Sequence, residues 1–278
     1  MDNIYESLVS FQQRGIPVMM VTVIEKSGEG PVEVGKKMIV GENLEAYGTV
    51  GGGALEFHAR EKCKDLIKSR TNLVEKYLLA EGKIYPEATT LPMACGGLAT
   101  LFYEYVGAKE YVYVFGAGHV GQAVINVLKT MPFHVTVIDD RKDVLSALKN
   151  ADQKFDIPFV QFIEEVGIKD GSFIVVCTPS HQHDYHVLNK INQLKLKPKY
   201  IGMLCSAKKL NEYLEKTYET FGKDIDLSNF YSPIGLDLGG GSPAEIAISI
   251  VSEILAVSNH KENHQHMRQT TLGVPRYW

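Results

Sequence analysis

The chain is poor in residues that staple or ligate. Its 278 residues include four cysteines, Cys63, Cys95, Cys177 and Cys205, far apart and without a CxxC pair, so neither a zinc knuckle nor a disulfide framework is indicated. No Lys/Arg-rich block stands out, and the net charge of -4 with a pI near 6.2 argues against nucleic acid as a partner. No apolar run approaches the roughly eighteen residues of a membrane span. The first residues, MDNIYESLVSFQQRG, lack the basic and apolar regions of a signal peptide. The expectation is a cytoplasmic protein that binds neither membrane nor nucleic acid. The 45% hydrophobic content is ordinary for a globular chain of about two domains.

What is present is a run from Tyr111 to Arg141, YVYVFGAGHVGQAVINVLKTMPFHVTVIDDR. Tyr111 to Phe115 suit a buried parallel strand. Gly116 permits a tight turn, Gly118 leaves the backbone open to a diphosphate, and Gly121 lets the following helix pack close to the strand. The helix start, with free N–H groups and a dipole worth roughly half a positive charge, favours an anion. Asp139 ends the second strand at about the distance where an acidic side chain meets a ribose hydroxyl. The pattern predicts a Rossmann-type nucleotide fold, with a retained fold and an unused pocket as the alternative.

Before this unit, residues 1–107 read as a separate small α/β domain. A helix over Asp2 to Arg14 leads to a strand from Val18 to Ile24 and short strands near Lys37 to Val40 and Tyr47 to Val50. Gly51, Gly52 and Gly53 then open a helix whose Leu55, Ala59, Cys63, Leu66 and Ile67 recur at helical spacing, a start that favours an oxyanion or serves only as a flexible turn. The loop Leu91 to Gly97 sets Cys95 before Gly96 and Gly97, where a ligand can come close, and a strand follows from Leu98 to Val106. An inert, half-buried thiol is the alternative for Cys95.

The second domain is expected over 108–257, with helices over Lys142 to Asn150 and Val160 to Val166, strands over Ser172 to Cys177 and Tyr200 to Leu204, and a helix from Lys208 to Phe221. His181, His183, Asp184 and His186 crowd the expected loop after the first of these strands. Their composition suits a metal site, although only His183 and His186 have single-face helical spacing and the others can cap a helix. Ser242 and Glu245 form a capping box with Pro243 at the first helical position. The helix that follows, through Ile246, Ile248, Ile250, Val251, Ile254 and Leu255, is expected to be largely buried. Residues 258–278 read as a polar tail carrying His260, His264 and His266.

Taken in order, GTVGGGALE (Gly48 to Glu56), MACGG (Met93 to Gly97), FGAGHVGQA (Phe115 to Ala123), DDR (Asp139 to Arg141), His183-Asp184, YIG (Tyr200 to Gly202) and PIGLDLGGGSPAEIAISI (Pro233 to Ile250) resemble the XdhC/CoxI family of molybdenum-enzyme accessory proteins. The resemblance implies a chaperone without turnover of its own. It would bind the molybdopterin form of the molybdenum cofactor, support sulfuration by a cysteine desulfurase, and deliver the product to a xanthine-dehydrogenase-like molybdenum hydroxylase apoenzyme. It places the cofactor near Gly51 to Gly53, Gly96 and Gly97, and makes Cys95 the candidate molybdenum contact, since a thiolate is a soft ligand. The family's usual Pro-Arg is Pro31-Val32 here, which leaves anion binding to Lys36, Lys37 and backbone N–H groups. Its usual Gly-Ser-Arg is Cys205-Ser206-Ala207. Gly116, Gly118, His119, Gly121 and Asp139 would hold NAD(P), another nucleotide or part of the cofactor, and a homodimer is compatible with the reading. The competing classes are an NAD(P)-dependent oxidoreductase with His119 or His183 as acid/base, and a hydrolytic metal centre at the histidine cluster.

Overall fold

Two separate apolar patterns build two separate sheets. The computed structural model describes residues 3–261 except 31, 83, 84, 94, 95 and 109, and the chain divides after Ala108 into two compact units.

In the first unit, helix α1 (Ile4–Gln13) is capped by Asn3, whose side chain accepts the Tyr5 N–H. Strands β1 (Val18–Ser27), β2 (Lys37–Gly41), β3 (Ala46–Gly48), β4 (Leu73–Leu79), β5 (Thr89–Leu91) and β6 (Gly97–Val106) form one sheet in the order β3-β2-β1-β6-β4-β5. Neighbours are antiparallel apart from the β4/β5 pair. Helix α2 (Gly53–Ser69) presents Leu55, Ala59, Cys63 and Ile67, each four residues from the next, so all four fall on one stripe. That stripe is buried against Met19, Val21, Met38, Val40, Leu101 and Tyr103. Phe11 of α1 packs with Val18 and Ile39 in a second, smaller cluster.

The sequence pattern hides β4 for a physical reason. Glu75 stands in the middle of its core-side row, opposite Leu101, and so breaks the apolar alternation. It is tolerated there because the Tyr77 and Thr89 hydroxyls donate to it at 2.8 Å and Lys62 pairs with it at 2.8 Å. Burial alone would push the Glu75 carboxyl up, but the Lys62, Tyr77 and Thr89 donors outweigh it and hold it below the ordinary value.

The second unit is a wholly parallel sheet. Strands β7 (Glu110–Phe115), β8 (Phe133–Ile138), β9 (Gln153–Phe155), β10 (Phe173–Val176), β11 (Tyr200–Met203) and β12 (Phe230–Tyr231) lie in the order β12-β11-β10-β7-β8-β9. Numbered within the unit and read from the β9 edge, this is the 3-2-1-4-5-6 order of doubly wound dinucleotide folds, and the order reverses between β7 and β10. Successive strands are joined through helices α3 (His119–Leu128), α4 (Lys142–Ala147), α5 (Phe159–Glu165), α6 (His181–Gln193) and α7 (Ala207–Phe221), and α8 (Pro243–Ser258) follows the last strand. The expected small α/β domain followed by a Rossmann-like parallel-sheet domain is the architecture observed.

Helix α8 has the expected capping box and N-terminal proline. It buries Ala247, Ile250, Val251 and Ile254 in a core that includes Val124 and Leu128 of α3, as expected of a largely buried helix, while Ile248 is half exposed. Among the described residues no helix is long and apolar enough to cross a membrane.

Candidate functional site

At the point where the strand order reverses, three glycines are glycine for three different reasons. Gly116 has φ +108°, and a Cβ on it would lie 2.3 Å from the Cys177 carbonyl oxygen. A Cβ on Gly121 would lie 2.1 Å from the Gly116 carbonyl oxygen, so the close approach of α3 to β7 depends on it. Gly118 differs: its φ is -67°, open to any residue, and a Cβ there would meet nothing within 4 Å. Packing requires the first two glycines and not the third. Space above Gly118 is what a ligand would use, and Gly118 is also the N-cap of α3 with no side-chain cap and no acidic residue in the first turn.

Asp139 sits beneath this loop, and the structure redirects its expected role. It is fully buried, and its Oδ2 accepts the Ala117 N–H at 2.7 Å. Its Oδ1 accepts the Arg141 N–H at 3.0 Å, and the Arg141 guanidinium closes on both oxygens at 2.8 and 2.7 Å. A carboxylate offers about four lone-pair sites, and four donors fill them, so in this conformation Asp139 is a latch on the glycine loop with no acceptor left for a ribose. Burial would raise its pKa, but the Arg141 and backbone bonds hold the carboxyl below the ordinary value.

The second wall of the crevice follows β10. Cys177 donates its thiol to the Gly116 carbonyl at 3.4 Å, and burial pushes that thiol up to about 12, so it stays protonated. Asp184, also buried, accepts the Thr178 N–H at 3.1 Å and the Thr178 hydroxyl at 2.6 Å, both through Oδ1. Here burial wins, and the carboxyl lies above its ordinary value.

The histidines expected in a loop instead occupy the first turns of α6, which Ser180 caps by accepting the His183 N–H. Half-buried His183 packs edge-on against Phe159 with ring centroids 5.7 Å apart, whereas His181 and His186 are exposed. Among the described residues no group of three or more His, Cys, Asp or Glu is arranged to hold a metal ion. His119, the first residue of α3, is exposed.

In the first unit the glycine loop before α2 meets the loop after β5: a Cβ on Gly53 would lie 3.5 Å from the Met93 methyl. Gly97 packs on the turn at Ser27 to Glu29, and a Cβ on it would lie 2.5 Å from the Glu29 carbonyl oxygen. Gly52 and Gly96 face open space at positive φ. The N–H groups expected to receive a phosphate, however, already serve a carboxylate. Glu56 Oε2 accepts the Gly52 N–H at 3.2 Å, the Val50 N–H at 3.4 Å and the Thr49 hydroxyl at 2.5 Å, while the Gly51 N–H donates to Thr49 Oγ1 at 3.1 Å.

Lys37 meets this loop through its backbone, whose carbonyl accepts the Thr49 N–H at 3.0 Å, and its side chain leads elsewhere. By strand alternation it shares a face of the sheet with Ile39, opposite to the face of Met38 and Val40 that α2 covers, and its amine donates to Thr22 at 3.0 Å. Lys36 pairs with Glu33 at 3.6 Å. Cys95, the expected molybdenum contact, lies outside the described residues. The third glycine-rich helix start repeats the second: Glu245 Oε2 accepts the Gly241 N–H at 3.1 Å and the Ser242 N–H at 2.9 Å. Sequence reasoning finds the Glu245 box but misses Glu56, whose signal is a glutamate four residues after the capping glycine, and misses Arg141 as the partner of Asp139.

Residues 112–254 match the XdhC Rossmann domain, and residues 11–77 match the XdhC and CoxI family. Over 267 residues, 93% of this chain and 47% of the relative, there is 24% identity to the uncharacterized protein YqeB of Escherichia coli. A probable xanthine dehydrogenase subunit of Bacillus subtilis is 31% identical over 157 residues, 56% of this chain and 45% of the relative. The chain thus spans about half the length of the curated relatives it matches. The crystal structure of a xanthine dehydrogenase from Bacillus halodurans shares the fold, with a TM-score of 0.50 at 18% identity over 96% of this chain and 98% of that one.

Proposed function

The chain belongs to the XdhC and CoxI family, and on that ground we propose that it is an accessory factor of a xanthine-dehydrogenase-like molybdenum hydroxylase. In this reading it binds the molybdopterin form of the molybdenum cofactor, supports its sulfuration with a cysteine desulfurase and passes it to the apoenzyme. The observation that carries the reading to particular residues is the contrast among the three glycine-rich helix starts. Those of α2 and α8 are closed at the cap by Glu56 and Glu245, whereas at α3 the carboxylate of Asp139 takes the Ala117 N–H ahead of the cap and leaves open space at Gly118 itself.

The two units therefore carry different tasks. In the first, the open backbone at Gly52 and Gly96 accepts the ring and metal end of the cofactor, and Glu56 leaves little room for its phosphate. Bound there, the cofactor supplies the molybdenum–sulfur chemistry, and the chain's own part is to hold and shield it. In the second, the N–H groups at the start of α3 hold the diphosphate of a nucleotide such as NAD(P).

Calorimetric titration of the anaerobically purified protein with molybdopterin-type cofactor and, separately, with dinucleotide tests both halves. One-to-one cofactor binding that survives Gly118→Val, together with dinucleotide binding that Gly118→Val abolishes, is expected. Dinucleotide heat without cofactor heat overturns the accessory reading and leaves an NAD(P)-dependent oxidoreductase.

A further inference from the structure

We infer that the nucleotide pocket of the second unit selects an adenosine ribose with a free 2′-hydroxyl over one carrying a 2′-phosphate, and that Asp140 is the residue that makes the choice. The inference rests on the reading that the α3 loop holds a nucleotide, and it goes further by naming the class.

In doubly wound folds the side chains after the second strand decide between the two riboses: a free carboxylate accepts the hydroxyls, and an unengaged arginine receives the phosphate. This chain has both residue types there, Asp139-Asp140-Arg141. Sequence alone does not rank them, but the hydrogen bonds do. Asp139 is saturated by the Ala117 N–H, the Arg141 N–H and two guanidinium donors. The same bonds set the Nε–Nη2 edge of the Arg141 guanidinium on Asp139, so its charge is already paired with a buried carboxylate before any phosphate arrives.

What remains on the turn is acidic. From Asp139 to Asp143 there are three carboxylates and two cations, and Lys142 lies 3.8 Å from Asp156. Asp140 and Asp143 both act on Arg141 as nearby negative charges. Asp140 is exposed, immediately after the buried latch. A ribose diol finds an acceptor in it, whereas a 2′-phosphate would add up to two negative charges beside two carboxylates, with the neighbouring guanidinium already paired to Asp139. The latch and the selector are thus adjacent residues with opposite environments.

The test is calorimetric titration of the full chain with NAD and with NADP at fixed moderate salt. NAD is expected to bind at least about tenfold more tightly, the effect of one hydrogen bond to a charged acceptor. Asp140→Ala should weaken NAD and narrow the ratio, and Asp140→Arg should reverse it, with the thermal midpoint of each variant close to that of the parent because Asp140 is exposed. Equal or tighter NADP binding by the parent, or a ratio unmoved in Asp140→Ala, overturns the inference. Failure of both dinucleotides to bind overturns the nucleotide reading as well, while the cofactor titration stands separately.

Discussion

Asp139 and Asp184 show how little residue type says by itself. Both are buried aspartates beside the same crevice, yet Asp139 is held below the ordinary carboxylate range and Asp184 above it. The difference is the donor set: four donors including a guanidinium for the first, two donors on one oxygen for the second. Asp139→Asn should lower stability at neutral pH by about 2–3 kcal/mol, because an amide turns donors against donors. Asp184→Asn keeps an oxygen for both Thr178 bonds and removes a desolvated charge, so it should be neutral or stabilising by up to about 1 kcal/mol. The signs with pH are opposite. The stability from Asp139 is present above the usual carboxylate range and is lost as pH falls through its depressed value, so the Asp139→Asn deficit should shrink in acid. The charge of Asp184 opposes folding at neutral pH and is relieved as pH falls through its raised value, so the Asp184→Asn gain should vanish in acid. Denaturant midpoints from pH 7 down to pH 3 check both, and parallel curves for the two variants would refute the assignment.

At the scale of elements, what is legible in the sequence is local and what is hidden depends on tertiary partners. The β7–α3–β8 run can be read because its glycine spacing, apolar strand and acidic end fall within about thirty residues. The α8 capping box can be read because both partners lie within one helical turn. β4 is obscured because its Glu75 is made compatible with the core by Lys62 of α2, Tyr77 and Thr89. The first glycine loop is expected to hold an anion because the helix dipole argument does not say which anion, and the chain supplies its own in Glu56. This can be reversed experimentally. Glu56→Ala should cost the α2 start about 1 kcal/mol while exposing N–H groups to solvent, so that inorganic phosphate, silent with the parent, produces binding heat in the variant. A variant that remains silent with phosphate would mean that the loop geometry itself, and not Glu56, excludes the anion.

For the whole molecule, the larger hydrophobic clusters of the two units have no residue in common. One is built on Met19, Val21, Leu55 and Leu101, the other on Val114, Val124, Ile250 and Ile254. The first sheet is mostly antiparallel, the second wholly parallel, so the units differ in topology as well as in core. Separate cores predict separable unfolding. Leu101→Ala removes a fully buried side chain from the first unit and should lower that unit's stability by about 2–5 kcal/mol. Ile250→Ala, equally buried, should do the same to the second. If the units unfold independently, amide hydrogen exchange should show Leu101→Ala loosening β1, β4 and β6 while β7, β8 and β10 keep their protection, and nucleotide affinity should be retained. Ile250→Ala should give the mirror pattern and weaken nucleotide binding, because α8 buttresses α3 and α3 carries the open loop. Loss of protection across both sheets in either variant would show instead that the chain unfolds as one cooperative body, and Gly118 and Gly52 would then have to be treated as parts of a single coupled structure.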